Sequence, residues 1–184
     1  MVKTQKSQTA SHVYGPVPSR RLGYSLGVDI LPFKTCSMDC IYCQLGASSR
    51  KHIERNAYFC QDEILSQIKA AVDSGQRIDY ITFSGSGEPT LNTLLGPLIQ
   101  EIKKLTDIPV AVLTNSTLLM QVEVREALKK ADLVVPSLDA VTQEIFMRIN
   151  RPHASIKVID VIQGLQSFRQ GTGLRPRADR SRSG

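Results

Sequence analysis

Four short apolar segments, each followed by an amphipathic helical stretch, most narrowly constrain what this 184-residue chain can fold into. Ser25–Leu31 reads as a first strand that ends at Pro32. Asp62–Asp73 then puts Ile64, Leu65, Ile68, Ala71 and Val72 on one helical face, and Gly75 marks the stop. Tyr80–Phe83 is the second strand, and Pro97 suits the first turn of a helix that continues through Ile99, Ile102 and Leu105. Val110–Leu113 is apolar on both faces, as expected of a buried parallel strand. A helix at Met120–Ala131, a strand at Leu133–Pro136, and helices at Glu144–Ile149 and Ile156–Phe168 complete the series. This alternation predicts an α/β fold with a parallel sheet and right-handed crossovers. Ligands of such sheets bind at the C-terminal ends of the strands, where the βα loops converge. The unusual residues do follow strands: Cys36–Cys43, Ser84–Asn92, Thr114–Thr117 and Ser137–Ala140.

Composition narrows the function classes. No apolar run approaches the roughly 18–20 residues of a membrane helix. The start, MVKTQKSQTASH, lacks the apolar stretch of a secretion signal, so a cytoplasmic protein with no membrane partner is expected. The net charge of +6 is uneven. Residues 169–184 hold Arg169, Arg175, Arg177, Arg180 and Arg182 against Asp179, a net of +4 that leaves only +2 elsewhere. The basic character is a property of the tail, not of a groove, and DNA is not an expected partner.

Three of the four cysteines fall within eight residues, as Cys36-Ser-Met-Asp-Cys40-Ile-Tyr-Cys43. Such crowding in a chain without a secretion signal points to metal or redox chemistry and not to a disulfide framework. Thiolates suit iron–sulfur clusters, zinc or copper(I). A structural zinc site needs a fourth ligand. The candidates, His52 and Cys60, are single and not at a finger-like spacing. Three thiolates in one tight loop suit a cubane cluster with one iron left open. Cys60, just before a helix, reads as an ordinary buried or half-buried thiol.

Ser84-Gly-Ser-Gly-Glu-Pro-Thr-Leu91 follows the second strand. Its glycines permit close backbone approach to a ligand, and Glu88 can meet an ammonium; a plain Gly/Ser turn explains the same residues. Asn115 and Ser116 can cap the next helix. Arg148, Asn150, Arg151 and His153 form a polar cluster between two helices, open to a capping role or to substrate contact. Val13–Gly27 begins as a Pro/Gly-rich extended lead-in, with Arg20 and Arg21 available to an anion or an RNA phosphate.

The C-x3-C-x2-C loop after a first strand, with Tyr42 before the last cysteine, resembles the radical S-adenosylmethionine (radical SAM) superfamily. The resemblance implies a [4Fe–4S] cluster on Cys36, Cys40 and Cys43. Its open iron would be chelated by S-adenosylmethionine, which is cleaved reductively to methionine and a 5′-deoxyadenosyl radical. It implies that Tyr42 packs near the adenine. It also implies that Gly85, Ser86, Gly87 and Glu88 stand for the Gly-Gly-Glu element that binds the methionine amino group, Ser86 replacing its first glycine. Asn115, Ser137 and Asp139 would contact the ribose and carboxylate. A reducing electron donor of the flavodoxin or ferredoxin type is a further implication.

Val13–Gly27 together with Ser84–Leu91, Ser137–Ala140 and Arg148–His153 resembles, more specifically, a bacterial and archaeal group related to the tRNA wyosine-base synthases. That likeness implies a tRNA substrate. The superfamily core is usually a partial (β/α) barrel of about six units, and four are expected here, within residues 24–168 after an extended lead-in at 1–23. Residues 169–184 carry almost no apolar side chain and read as a disordered basic tail, as a truncated or frame-shifted chain would end. A metal-binding remnant without turnover, or an RNA-binding module using the Arg-rich tail, are the rival readings.

Overall fold

The computed structural model describes residues 11–48 and 50–172. Five strands form one sheet in the order β1-β2-β3-β4-β5. They are β1 (Val13–Ser19), β2 (Gly23–Val28), β3 (Tyr80–Phe83), β4 (Val110–Thr114) and β5 (Leu133–Pro136). The helices are α1 (Gln61–Asp73), α2 (Leu95–Leu105), α3 (Val122–Leu128), α4 (Gln143–Asn150) and α5 (Val158–Thr172). β2 through β5 pair in parallel. Each is followed by helix, so the chain is an α/β fold with four βα units, as expected of a partial (β/α) barrel.

β1 corrects the reading of residues 13–23 as a lead-in. It pairs antiparallel with β2, Val13 opposite Val28 and Ser19 opposite Gly23, with a register shift between Tyr14 and Val17. Gly15, Pro16 and Pro18 argue against a central strand, but an edge strand tolerates residues that cannot donate to a ladder. Other differences lie at element ends. β2 stops at Val28, short of Leu31, and α3 covers only the middle of the expected Met120–Ala131 helix. α5 runs through Thr172, so the first four residues of the expected tail are helical; residues 1–10 and 173–184 lie outside those described.

The main core lies between the sheet and its helices. Leu26, Val28, Ile81, Phe83, Val110 and Val112 of the strands meet Ile64 and Ile68 of α1, Leu98, Ile99 and Ile102 of α2, and Leu128 of α3. All are nearly or wholly inaccessible, each worth about 1.5–3 kcal/mol in apolar area removed from water. The opposite face of the sheet is different. Ser25 and Thr82 share a hydrogen bond of 2.6 Å there, and Leu113, expected to be buried, is exposed. β5 is the last strand of the sheet among the described residues. A second, smaller core of Met38, Phe146, Ile156, Val158 and Val161 backs Cys36 and Cys40.

Candidate cofactor site

The loops after β2, β3, β4 and β5 meet around one cavity of about 280 Å3. Every residue expected at the site lines it except Ser86, whose backbone N–H is turned to the Asp29 carboxylate at 2.9 Å. The three cysteines are half-buried free thiols. Among the described residues, no three Cys, His, Asp or Glu side chains converge as they would around one metal ion. Cys60, expected to be buried or half-buried, is exposed just before α1.

The cysteine loop is held by long-range contacts. Asp39 N–H donates to the carbonyls of Asn150 and Arg151 at 3.0 and 3.2 Å, and Ile41 N–H to that of Ile149 at 2.9 Å. His153 N–H donates to the Ser37 carbonyl at 2.9 Å. Ser37, wholly buried, shares a hydrogen bond of 2.7 Å with Thr117. Lys34 is buried with Asp39 beside it at 3.5 Å, and its ammonium reaches the Gly46 carbonyl.

The loop after β3 is zipped to the cysteine loop. Thr35 and Gly87 form a parallel bridge, and Glu88 N–H donates to the Thr35 carbonyl at 3.0 Å. A Cβ on Gly87 would lie 1.8 Å from that carbonyl oxygen, so only glycine fits. Gly85 takes a φ of +135°, and a Cβ there would press on Asp29. Asp29, which also accepts from Leu31 N–H at 3.2 Å, organises this turn; no local motif marked it in the sequence.

Glu88 departs from the expected role of meeting an ammonium. It is 2% exposed, and its carboxylate accepts from Thr90 N–H, the Thr90 and Thr114 hydroxyls, and Asn115 N–H at 2.6–3.1 Å. Burial pushes its carboxyl up, and these donors pull back. Its side chain ties the end of β4 to the loop after β3. Gly85 and Gly87 line the cavity beside it.

Neither Asn115 nor Ser116 caps the next helix, because α3 starts at Val122 with Gln121 at its N-cap. The Asn115 oxygen accepts from Thr117 N–H and hydroxyl at 3.1 and 2.8 Å, which turns its nitrogen to Ser37 Oγ at 2.9 Å and Cys36 Sγ at 3.4 Å. Ser137 is exposed at the rim, its N–H donating to the Thr114 carbonyl at 2.9 Å. Tyr42 has an exposed ring, and its hydroxyl donates to Asp139. Desolvation of that hydroxyl, then Asp139 and Cys40, push the phenol well above its ordinary value. Burial, with Glu88 adding to it, pushes the Cys36 thiol up to about 11.

The polar cluster after α4 divides. Arg148 and Arg151 are exposed, and His153 turns to Ser155 at 2.8 Å. Asn150 is wholly buried and lines the cavity. A second space of about 440 Å3 lies against Arg20, Arg21, Leu113 and Val135.

The donor set can be tested against the group that this geometry suggests. Three free thiols on one wall, with no fourth thiol nearby, fit a [4Fe–4S] cluster whose fourth iron is left to a non-protein ligand. The sequence model of the radical SAM superfamily matches residues 30–171, and the chain belongs to that superfamily. Membership implies a [4Fe–4S] cluster and S-adenosylmethionine. A UPF0026 protein of Methanocaldococcus jannaschii is 39% identical over 158 residues, covering 85% of this chain and 49% of that protein. A protein of Brachyspira hyodysenteriae named GTPase Obg is 48% identical over 168 residues, 91% of this chain but 25% of that one. A GTP 3′,8-cyclase of Clostridium acetobutylicum is 35% identical over 130 residues, 69% of this chain and 39% of the cyclase. The chain thus spans about half the length of the UPF0026 relative and less of the other two.

Proposed function

We propose that this chain is the cluster- and cofactor-binding core of a cytoplasmic radical SAM enzyme. The observation that carries the reading is the shared cavity. Cys36, Cys40 and Cys43 line it together with Gly85, Gly87, Glu88, Asn115, Ser137 and Asp139, although these come from four separate βα loops. When bound there, the reduced cluster supplies the electron that cleaves S-adenosylmethionine to methionine and a 5′-deoxyadenosyl radical.

The chain's own residues bind and orient. The three thiols would hold the cluster as thiolates, their protons released to solvent, which for Cys36 means overcoming its burial. Gly85 and Gly87 let the backbone come close to an ammonium, and the Glu88 N–H bond to the Thr35 carbonyl fixes that backbone in place. Ser137 and Asp139 offer polar contacts at the rim, and the exposed Tyr42 ring offers a face for a base. Phe146 and Val161 exclude water from one side. An external reductant of the flavodoxin or ferredoxin type supplies the electron. Arg20 and Arg21, against the second cavity on the open face of the sheet, favour a substrate that carries phosphate, tRNA among them.

The test is product release. The chain is reconstituted anaerobically with iron and sulfide, reduced with dithionite and mixed with S-adenosylmethionine. Release of 5′-deoxyadenosine is the expected result. A full cluster complement with no release sinks the enzymatic reading and leaves a cluster-binding remnant.

A further inference from the structure

We propose that Asn115 and Asn150, hydrogen-bonded to Cys36 and Cys40, and the buried Lys34 ammonium at the Cys43 turn form a shell of donors that sets the reduction potential of the cluster. This rests on the cluster reading above and assigns the residues that tune the centre.

The two amides come from distant parts of the chain and reach different sulfurs. Asn115 Nδ2 lies 3.4 Å from Cys36 Sγ. The orientation of its amide is fixed, because Thr117 N–H can only donate and therefore claims the oxygen. Asn150, 110 residues from its target, places Nδ2 3.4 Å from Cys40 Sγ. Its orientation is fixed as well: Asp139 Oδ2, an acceptor, lies 2.5 Å from the same nitrogen. The Lys34 ammonium is held at the Cys43–Gly46 turn by the Gly46 carbonyl and by Asp39 at 3.5 Å.

Asn150 carries the strongest mark of function. It is wholly inaccessible, and its Oδ1 has no hydrogen-bond partner. A buried carbonyl without a partner is destabilising, and a leucine of similar volume would fill the space without it. The presence of an amide points to a role for its nitrogen. Lys34 is equally unusual, a lysine 8% exposed with a left-handed φ of +60°.

The physical consequence follows from charge. Reduction adds a negative charge that spreads onto the cysteine sulfurs. Donors aimed at those sulfurs stabilise the reduced form more than the oxidised one and raise the potential. A buried ammonium acts more strongly than a neutral amide. Removal of any one donor therefore makes the cluster harder to reduce, and Lys34 contributes most.

The test is a redox titration of the anaerobically reconstituted full chain, followed by electron paramagnetic resonance, with iron and sulfide counted for each variant. Lys34→Gln is expected to raise the oxidised-to-reduced ratio at fixed potential about tenfold, a downward shift of 59 mV for a one-electron couple. Asn150→Leu and Asn115→Ala are expected to shift it the same way by about threefold, and Lys34→Arg by less than about twofold. If Lys34→Gln fails to take up a cluster, the two asparagine variants carry the same test. Variants with a full cluster and an unmoved potential overturn the donor shell while leaving the cluster reading intact. A wild-type chain that takes up no cluster overturns both.

Discussion

Two buried regions of this chain are built from opposite materials. Between the sheet and α1–α3 the interior is Leu, Ile, Val and Phe, in phase with strand and helix periodicity. At the C-terminal ends of the strands many buried residues are polar, among them Ser37, Asp39, Glu88, Thr90, Thr114, Ser116 and Asn150. The first region holds the chain folded by removing apolar area from water. The second positions loops through hydrogen bonds between side chains and backbone of separate segments, which is the arrangement a binding site needs. Function and stability should therefore respond to different substitutions.

The largest expected effect separates them outright. Cys40→Ala should abolish stoichiometric cluster uptake, read from iron and sulfide content, while changing the unfolding free energy from urea titration by about 1 kcal/mol or less. A large loss of stability in that variant would break the separation. Phe83→Ala, at the centre of the apolar layer and fully buried, should cost about 3–5 kcal/mol in the same urea titration.

Glu88→Gln sharpens the boundary between the regions. The amide is isosteric, but its NH2 must face one of the four donors that the carboxylate now accepts from. A loss of about 1–3 kcal/mol is expected by urea unfolding, with weaker S-adenosylmethionine binding in an equilibrium assay. Unchanged stability would mean that Glu88 does not tie β4 to the loop after β3.

The smallest effect concerns acid. Burial raises the Asp132 carboxyl, but the Lys103 ammonium and the Val110 N–H outweigh it and hold the carboxyl below its usual range. A depressed carboxyl stabilises the fold above its unfolded value of about 4 and loses that contribution as pH falls through the folded one. The pair is partly exposed, so Asp132→Asn should cost at most about 1 kcal/mol at neutral pH, and nothing once both states are protonated. Urea midpoints measured across pH 2–7, a range spanning about two units either side of the carboxylate region, check this.

The apolar layer was legible because it is periodic. Tyr80–Phe83 and Leu133–Pro136 were read with their observed bounds, and the helical faces of α1 and α2 with them. The cysteine loop was legible because its spacing is local. β1 was not, because Gly15, Pro16 and Pro18 disguise an edge strand. Lys34, Asp29 and the inward turn of Asn150 were not legible either. Their partners are loops brought together only by the fold, 110 residues apart for Asn150 and Cys40. Glu88 was picked out as a site residue, yet its buried tie to Thr114 and Asn115 depends on β4 lying beside β3.

The central claim is that three thiols hold a cluster with one iron open to S-adenosylmethionine. The most direct measurement is the electron paramagnetic resonance spectrum of the reduced, reconstituted chain before and after addition of S-adenosylmethionine bearing a 15N-labelled amino group. The account predicts an altered spectrum with hyperfine coupling to that nitrogen. An unchanged spectrum from a fully loaded cluster would contradict it.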